Sequence, residues 1–132
     1  MKFLLDTNIC IYAMKQDPKV LARLLSTSRS DVAISAITEA ELRFGAAKSS
    51  VPARTARLLE NFLKPLAIVE FTSDDAVSYA QIRTRLERSG TPIGPLDTLI
   101  AAQAVARRLV LASNNEGEFG RVGTLRLENW TK

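Results

Sequence analysis

Hydrophobic positions fall along this chain in two rhythms. Short unbroken apolar runs bounded by polar residues recur at 2–6 (KFLLD), 31–37 (DVAISAI), 67–71 (AIVEF) and 110–113 (VLAS), with a weaker one at TLRLEN near the end. Such runs suit strands buried on both faces, as in a parallel sheet. Between them, apolar residues recur every three or four positions, the spacing of an amphipathic helix. This spacing predicts helices over 9–15, 18–25, 38–49, 52–66, 73–90 and 97–109. Punctuation supports several boundaries. Pro18 suits a first helical turn and Pro65 a stop. Thr38 with Glu41 three residues on has the form of a capping box. The 73–90 helix opens Ser-Asp-Asp and closes on Arg88 and Gly90, matching the helix dipole at both ends. TPIGPLD at 91–97 reads as a loop, and NNEGEFG as a turn or short helix.

Strands separated by helices predict an α/β fold, a three-layer sandwich with a central, mostly parallel sheet flanked by helices. The helix pairs 9–15 with 18–25 and 38–49 with 52–66 elaborate a strict strand–helix alternation. At 132 residues, with no repeat, linker or low-complexity tract, the chain predicts a single domain over 1–132.

Composition narrows the chemistry mainly by what it lacks. Hydrophobic residues make up 46% and charged residues 24%, an ordinary globular balance. One cysteine, Cys10, allows no internal disulfide and suits a reducing cytoplasm, where Cys10 serves as a small buried hydrophobe. No apolar run approaches the roughly 18 residues of a membrane span, and the apolar start is too short for a signal peptide. The net charge of +4 is compatible with a polyanionic partner. The chain has no histidine. That removes Ser-His-Asp and Cys-His nucleophile systems, paired-histidine RNA cleavage and His/Cys zinc sites. Chemistry is left to carboxylates, hydroxyls, amides, Lys, Arg or a hard metal ion.

The acids fall at suggestive places. In an open α/β sheet, ligands bind beyond the carboxyl ends of the strands. Asp6 ends the first strand; Ser113, Asn114 and Asn115 end the fourth, with Glu116 and Glu118 just after; Glu41 lies early in the helix following the second; Asp97 opens the helix feeding the fourth. Taken singly, each has an ordinary role as a cap or turn residue. Taken together they would crowd negative charge onto one rim, where a divalent, oxygen-preferring cation such as Mg²⁺ or Mn²⁺ relieves the repulsion. Such an ion also lowers the pKa of a bound water and neutralises a phosphodiester. Two other readings stay open: a receiver-like phosphoryl-transfer domain with Asp6 as nucleophile, or a non-catalytic module binding a basic peptide. Against the first, Asn8 stands where an Asp-x-Asp pattern needs its second acid. Arg43 and Arg121, close in sequence to Glu41 and Glu118, are the candidates for RNA-phosphate contact.

Four segments carry a family resemblance: LLDTN at 4–8, ISAITEAELRFGAAKS at 34–49, GTPIGPLDTLIAAQA at 90–104 and LASNNEGEF at 111–119. In order and spacing they resemble the PIN-domain family, and within it the VapC toxins of VapBC toxin–antitoxin modules, of the enterobacterial type that cleaves initiator tRNA. The resemblance implies that Asp6, Glu41 and Asp97 form the core acidic triad. Asp6 and Asp97 would be the principal metal ligands, and Glu41 would hold the metal or its water. Glu118 matches the fourth acidic position, although many relatives carry an aspartate nearer Asn115. Thr7, Ser113, Asn114 and Asn115 match the small polar residues that orient the acids, with Ser113 in place of the usual threonine. The resemblance further implies a Mg²⁺- or Mn²⁺-dependent endoribonuclease. It also implies a homodimer, a hetero-oligomer with a VapB-type antitoxin, and cleavage in the anticodon stem-loop of initiator tRNA.

Overall fold

A computed structural model describes the whole chain, Met1–Lys132. Five short strands, β1 (Phe3–Leu5), β2 (Val32–Ser35), β3 (Ala67–Val69), β4 (Val110–Ala112) and β5 (Arg126–Glu128), form one sheet in the order β3-β2-β1-β4-β5. Every pairing is parallel, with Leu4 opposite Ala33 on one side and Leu111 on the other. The helices are α1 (Thr7–Met14), α2 (Pro18–Leu25), α3 (Ala36–Ala47), α4 (Pro52–Leu63), α5 (Ser73–Arg88), α6 (Pro95–Arg107) and the short α7 (Glu116–Phe119).

The strand with the purest apolar run, β1, is central, as full burial on both faces requires. Its side chains alternate between two cores. Phe3 and Leu5 join Val32 and Ile34 against α1 to α4, in a layer that includes Cys10, Leu42, Leu59 and Trp130. Leu4 joins Ala33 and Leu111 against α5 and α6, with Ile82, Ile100 and Phe119. The period-two geometry of a strand thus builds the three-layer sandwich the sequence predicts.

Three boundaries differ from the sequence-based expectation, and each difference moves a candidate site residue. Helix α1 begins at Thr7, capped by Asp6, two residues before the expected start. Helix α3 begins at Ala36 rather than Thr38: Ser35 is the cap, its hydroxyl accepting the Ile37 N–H at 2.9 Å. Thr38 is a buried residue inside the first turns, so the Thr38–Glu41 capping box does not form. Helix α6 begins at Pro95, where proline's fixed φ and missing N–H cost nothing, so Asp97 lies within the first turn. Helix α4 stops at Leu63: Lys64 keeps helical geometry as the C-cap, and Pro65 has no N–H with which to continue the ladder.

Parallel strands end on one edge of the sheet. That edge carries Asp6 after β1, Ser35 and α3 after β2, and Ser113 after β4, with the N-terminus of α6 beside them.

Candidate active site

Asp6 is the innermost acid. Its N–H still follows the sheet, donating to the Ala112 carbonyl at 2.9 Å. Its side chain then turns to two donors: Oδ1 accepts the Thr7 N–H at 2.7 Å and Oδ2 accepts the Ser113 hydroxyl at 2.8 Å. The residue is only 4% exposed. Burial pushes its pKa up, the bonds from Ser113 and Thr7 pull it down, and repulsion from Glu41 and Glu118 pushes it up again.

Thr7 links Asp6 to the second acid. Its hydroxyl donates to Glu41 Oε1 at 2.7 Å, and Thr38 Oγ1 lies 3.3 Å from the same hydroxyl. Glu41, two turns into α3, is therefore held by the residue that follows Asp6.

Asp97 and Glu118 form the opposite wall. The Gly94 N–H donates to Glu118 Oε1 at 3.3 Å, and Asp97 Oδ2 lies 3.5 Å from where a Cβ on Gly94 would stand. Asn115 holds Glu118 twice: its Nδ2 donates to Oε2 at 2.7 Å and its Oδ1 accepts the Glu118 N–H at 3.2 Å, capping α7. Ser113 Oγ accepts the Asn115 N–H at 3.0 Å while donating to Asp6, so one hydroxyl joins both walls. The Asp97 pKa is pushed up to about 6, first by burial and then by Asp6, Glu118 and Glu41. Glu118 is held low instead, chiefly by Asn115, with help from the Gly94 N–H and Arg121. Neighbouring carboxyls with opposite shifts mark a site where protons are unequally shared.

The remaining candidates separate. Asn115 serves the acids. Asn114 turns away, its Nδ2 donating to the Tyr12 hydroxyl at 3.3 Å and its Oδ1 buried without a donor. Arg121 stays at the rim, donating to the Pro92 carbonyl at 2.9 Å and bearing on Glu118. Arg43 lies two residues past Glu41, roughly 200° around the helix. There it pairs with Glu39 at 2.9 Å and Glu60 at 2.5 Å.

One residue near the site escaped the sequence reading. Gln103 of α6 is fully buried, and its Nε2 donates to the Val69 and Glu70 carbonyls at 3.2 and 3.3 Å. It is the only strongly polar side chain in a buried run of Ile100, Ala101, Ala102 and Ala104, and that isolation was the available signal.

Asp6 and Asp97 thus feel the charge of their acidic neighbours, and among Asp6, Asp97 and Glu118 the one cation that bears is Arg121, at Glu118. The donors are hard oxygens, which suit Mg²⁺ or Mn²⁺. No three acids gather round a single point. That too suits Mg²⁺, which is usually held by one or two carboxylates and keeps several waters.

The PIN-domain family matches residues 3–125. The chain is 39% identical over 131 residues to the tRNA(fMet)-specific endonuclease VapC of Shigella flexneri, covering 99% of each. It is 40% identical over 130 residues to the protein of the same name from Salmonella typhimurium, covering 98% of each. Among solved structures, the DNA-bound VapBC of Salmonella typhimurium superposes with a TM-score of 0.93 at 40% identity, covering 98% of both chains. FitAcB of Neisseria gonorrhoeae superposes with a TM-score of 0.87 at 33% identity, covering 97% of each. With this match across nearly its whole length and on the fold described above, the chain belongs to the PIN-domain family, in its VapC branch.

Proposed function

We propose that the chain is a divalent-metal-dependent endoribonuclease that acts as the toxin of a VapBC-type module. The observation that carries this reading is the convergence of Asp6, Glu41, Asp97 and Glu118, from four separate segments, on one sheet edge where no cation faces Asp6 or Asp97. Asp6 and Asp97 hold the metal, Mg²⁺ or Mn²⁺. Glu41 holds it or its water, and Glu118 completes the acidic wall. Bound there, the ion supplies charge neutralisation at the scissile phosphodiester and a water of lowered pKa. The chain's own residues supply position. Ser113 and the Thr7 N–H fix both oxygens of Asp6, and Thr7 occupies Oε1 of Glu41, leaving Oε2 as the oxygen that would face the metal or its water. Arg121, at the rim, contacts backbone phosphate. Arg43 is already matched by two carboxylates and is the weaker phosphate ligand. A nucleophilic Asp6 is disfavoured, because it is almost buried with both oxygens engaged.

Full-length identity near 40% to proteins named for tRNA(fMet) supports initiator tRNA as the substrate, cut in the anticodon stem-loop. Likeness to VapBC complexes supports a VapB-type antitoxin partner in a hetero-oligomer, and we propose that the toxin is a homodimer within it. The unit is the single domain 1–132, and a tRNA substrate would put its work in the cytoplasm. Separately, no helix is long and apolar enough to cross a membrane.

The test is incubation of the purified, antitoxin-free protein with a total tRNA pool and Mg²⁺, followed by end mapping. One cut in the anticodon stem-loop of initiator tRNA is expected, absent in EDTA and absent with Asp6→Asn. No cleavage, or cleavage indifferent to EDTA and to Asp6→Asn, overturns the proposal.

A further inference from the structure

We propose that Gln103 is a positioning residue for the acidic pocket: its side chain ties the helix that carries Glu41 to the helix that carries Asp97. The inference rests on reading the pocket as a divalent-cation site.

Glu41 and Asp97 are far apart in sequence and lie on different helices. A cation shared near them depends on how α3 and α6 are set against each other. Gln103 sits at that joint. Its Oε1 accepts the hydroxyl of Ser35, the residue that caps α3. Ser35 has one proton to give, and giving it to Gln103 leaves an oxygen lone pair for the Ile37 N–H. The glutamine therefore orients the cap that starts the Glu41 helix. Its Nε2 spans the Val69 and Glu70 carbonyls where β3 ends. One side chain on α6 thus holds the carboxyl ends of two adjacent strands, β2 and β3.

A second bond one turn later gives the joint its direction. Arg107, four residues past Gln103, donates to the same Glu70 carbonyl at 3.0 Å. Two anchors on one face of α6 restrain sliding and rotation together. Further along α3, Thr38 meets Thr7 beside Glu41. Helix α3 is thus fixed at its cap, Ser35, by Gln103 and a turn later by the segment that carries Asp6.

Gln103 is fully buried, as are Ser35 and Ala101, Ala102 and Ala104 around it. A buried amide costs stability unless all its groups are bonded, so the three bonds stand or fall as a set. An apolar residue there fills the space but leaves the Ser35 hydroxyl and the Val69 carbonyl without partners. The Ser35 proton then seeks another acceptor, and the α3 cap loses its fixed direction. Supporting residues of this kind alter metal affinity by about 10- to 100-fold when removed. Gln103 acts through Ser35 and the helix rather than on a ligand directly, so the low end applies.

The test is Mn²⁺ titration followed by electron paramagnetic resonance on wild type, Gln103→Met, Ser35→Ala, the double variant and Leu63→Ala. Leu63 packs in the other core layer and serves as a destabilised control. Gln103→Met and Ser35→Ala should each weaken Mn²⁺ binding by about tenfold. The double variant should be no worse than the more affected single, because both break the same Ser35–Gln103 bond through which Gln103 acts on α3. Leu63→Ala should lower Tm and leave the affinity unchanged. Gln103→Met with wild-type affinity, or two single effects that multiply, overturns the inference. If Gln103→Met does not fold, Ser35→Ala decides alone, and unchanged affinity overturns it. A wild type that binds no Mn²⁺ overturns the pocket reading and this inference with it; wild-type binding matched by Gln103→Met overturns only the inference.

Discussion

Asp6 and Asp75 are both buried carboxylates at helix N-termini on the same edge of the sheet, yet their surroundings are opposite. Asp75 is fully buried and matched. Its Oδ1 pairs with the Arg107 guanidinium, and its Oδ2 accepts the Thr72 N–H at 2.8 Å, closing a capping box on α5. Asp6 meets only neutral donors, Thr7 and Ser113, and the charges that reach it belong to other acids. A buried charge without a counter-charge is costly. The chain has the chemistry to neutralise a buried Asp and uses it 69 positions away in sequence, at Asp75. Leaving Asp6 unmatched keeps that side of the pocket open for a cation from outside. On the proposed reading, the same local feature, an acid capping a helix, is structural in one place and chemical in the other, and the neighbours decide which.

The largest contrast should appear in activity. Asp6→Asn is expected to lower RNA cleavage by about 10³-fold or more, as loss of a residue that acts as part of a unit does, while circular dichroism and Tm show an intact fold. Asp75→Asn should behave in the reverse way. It leaves Arg107 without its partner and should cost about 2 kcal/mol in denaturant unfolding, while cleavage per folded molecule stays near wild type. If Asp75→Asn abolished cleavage at full stability, the distinction between the two acids would collapse.

A smaller effect sharpens the comparison through pH. The Asp97 pKa rises from 3.8 to about 6 on folding, by burial and then by its acidic neighbours. The folded protein therefore holds a proton that the unfolded chain releases. In the metal-free protein this favours stability below about pH 4; the benefit fades as pH rises toward 6 and is gone above it. Asp97→Asn removes the penalty. Unfolding at pH 7 without metal should show a gain of about 1–2 kcal/mol, discounted for the half-exposed carboxylate, and the gain should vanish near pH 4. A variant less stable than wild type at pH 7 would mean that Asp97 is structurally matched after all.

The layering of the fold is legible because four of the five strands, β1 to β4, are short apolar runs and each long helix is a periodic one. The acids were legible as residues, since the sheet edge follows directly from where those runs end. Their bonding was not. Ser35 and Thr38 are chemically alike as caps, and only the immediate turn from β2 into α3 selects Ser35. Glu41 looked like half of a capping box with Thr38, whereas its partner is Thr7, 34 residues away. Asn114 and Asn115 are identical in type, and the turn after β4 sends one to Tyr12 and the other to Glu118. Arg43 was placed near the acids by counting residues, when helical geometry carries it to Glu39 and Glu60. The bonds of Glu41 to Thr7 and of Asn114 to Tyr12 join distant segments, which local pattern does not encode.

The most direct test of the central claim is thermal unfolding with and without Mn²⁺, run on wild type, Asp6→Asn and Asp75→Asn. A ligand that binds only the folded state stabilises by about 2.7 kcal/mol at 100 times its Kd. The account predicts that Mn²⁺ raises the Tm of wild type and of Asp75→Asn by similar amounts and leaves Asp6→Asn unmoved. Equal stabilisation of all three, or of none, would contradict it.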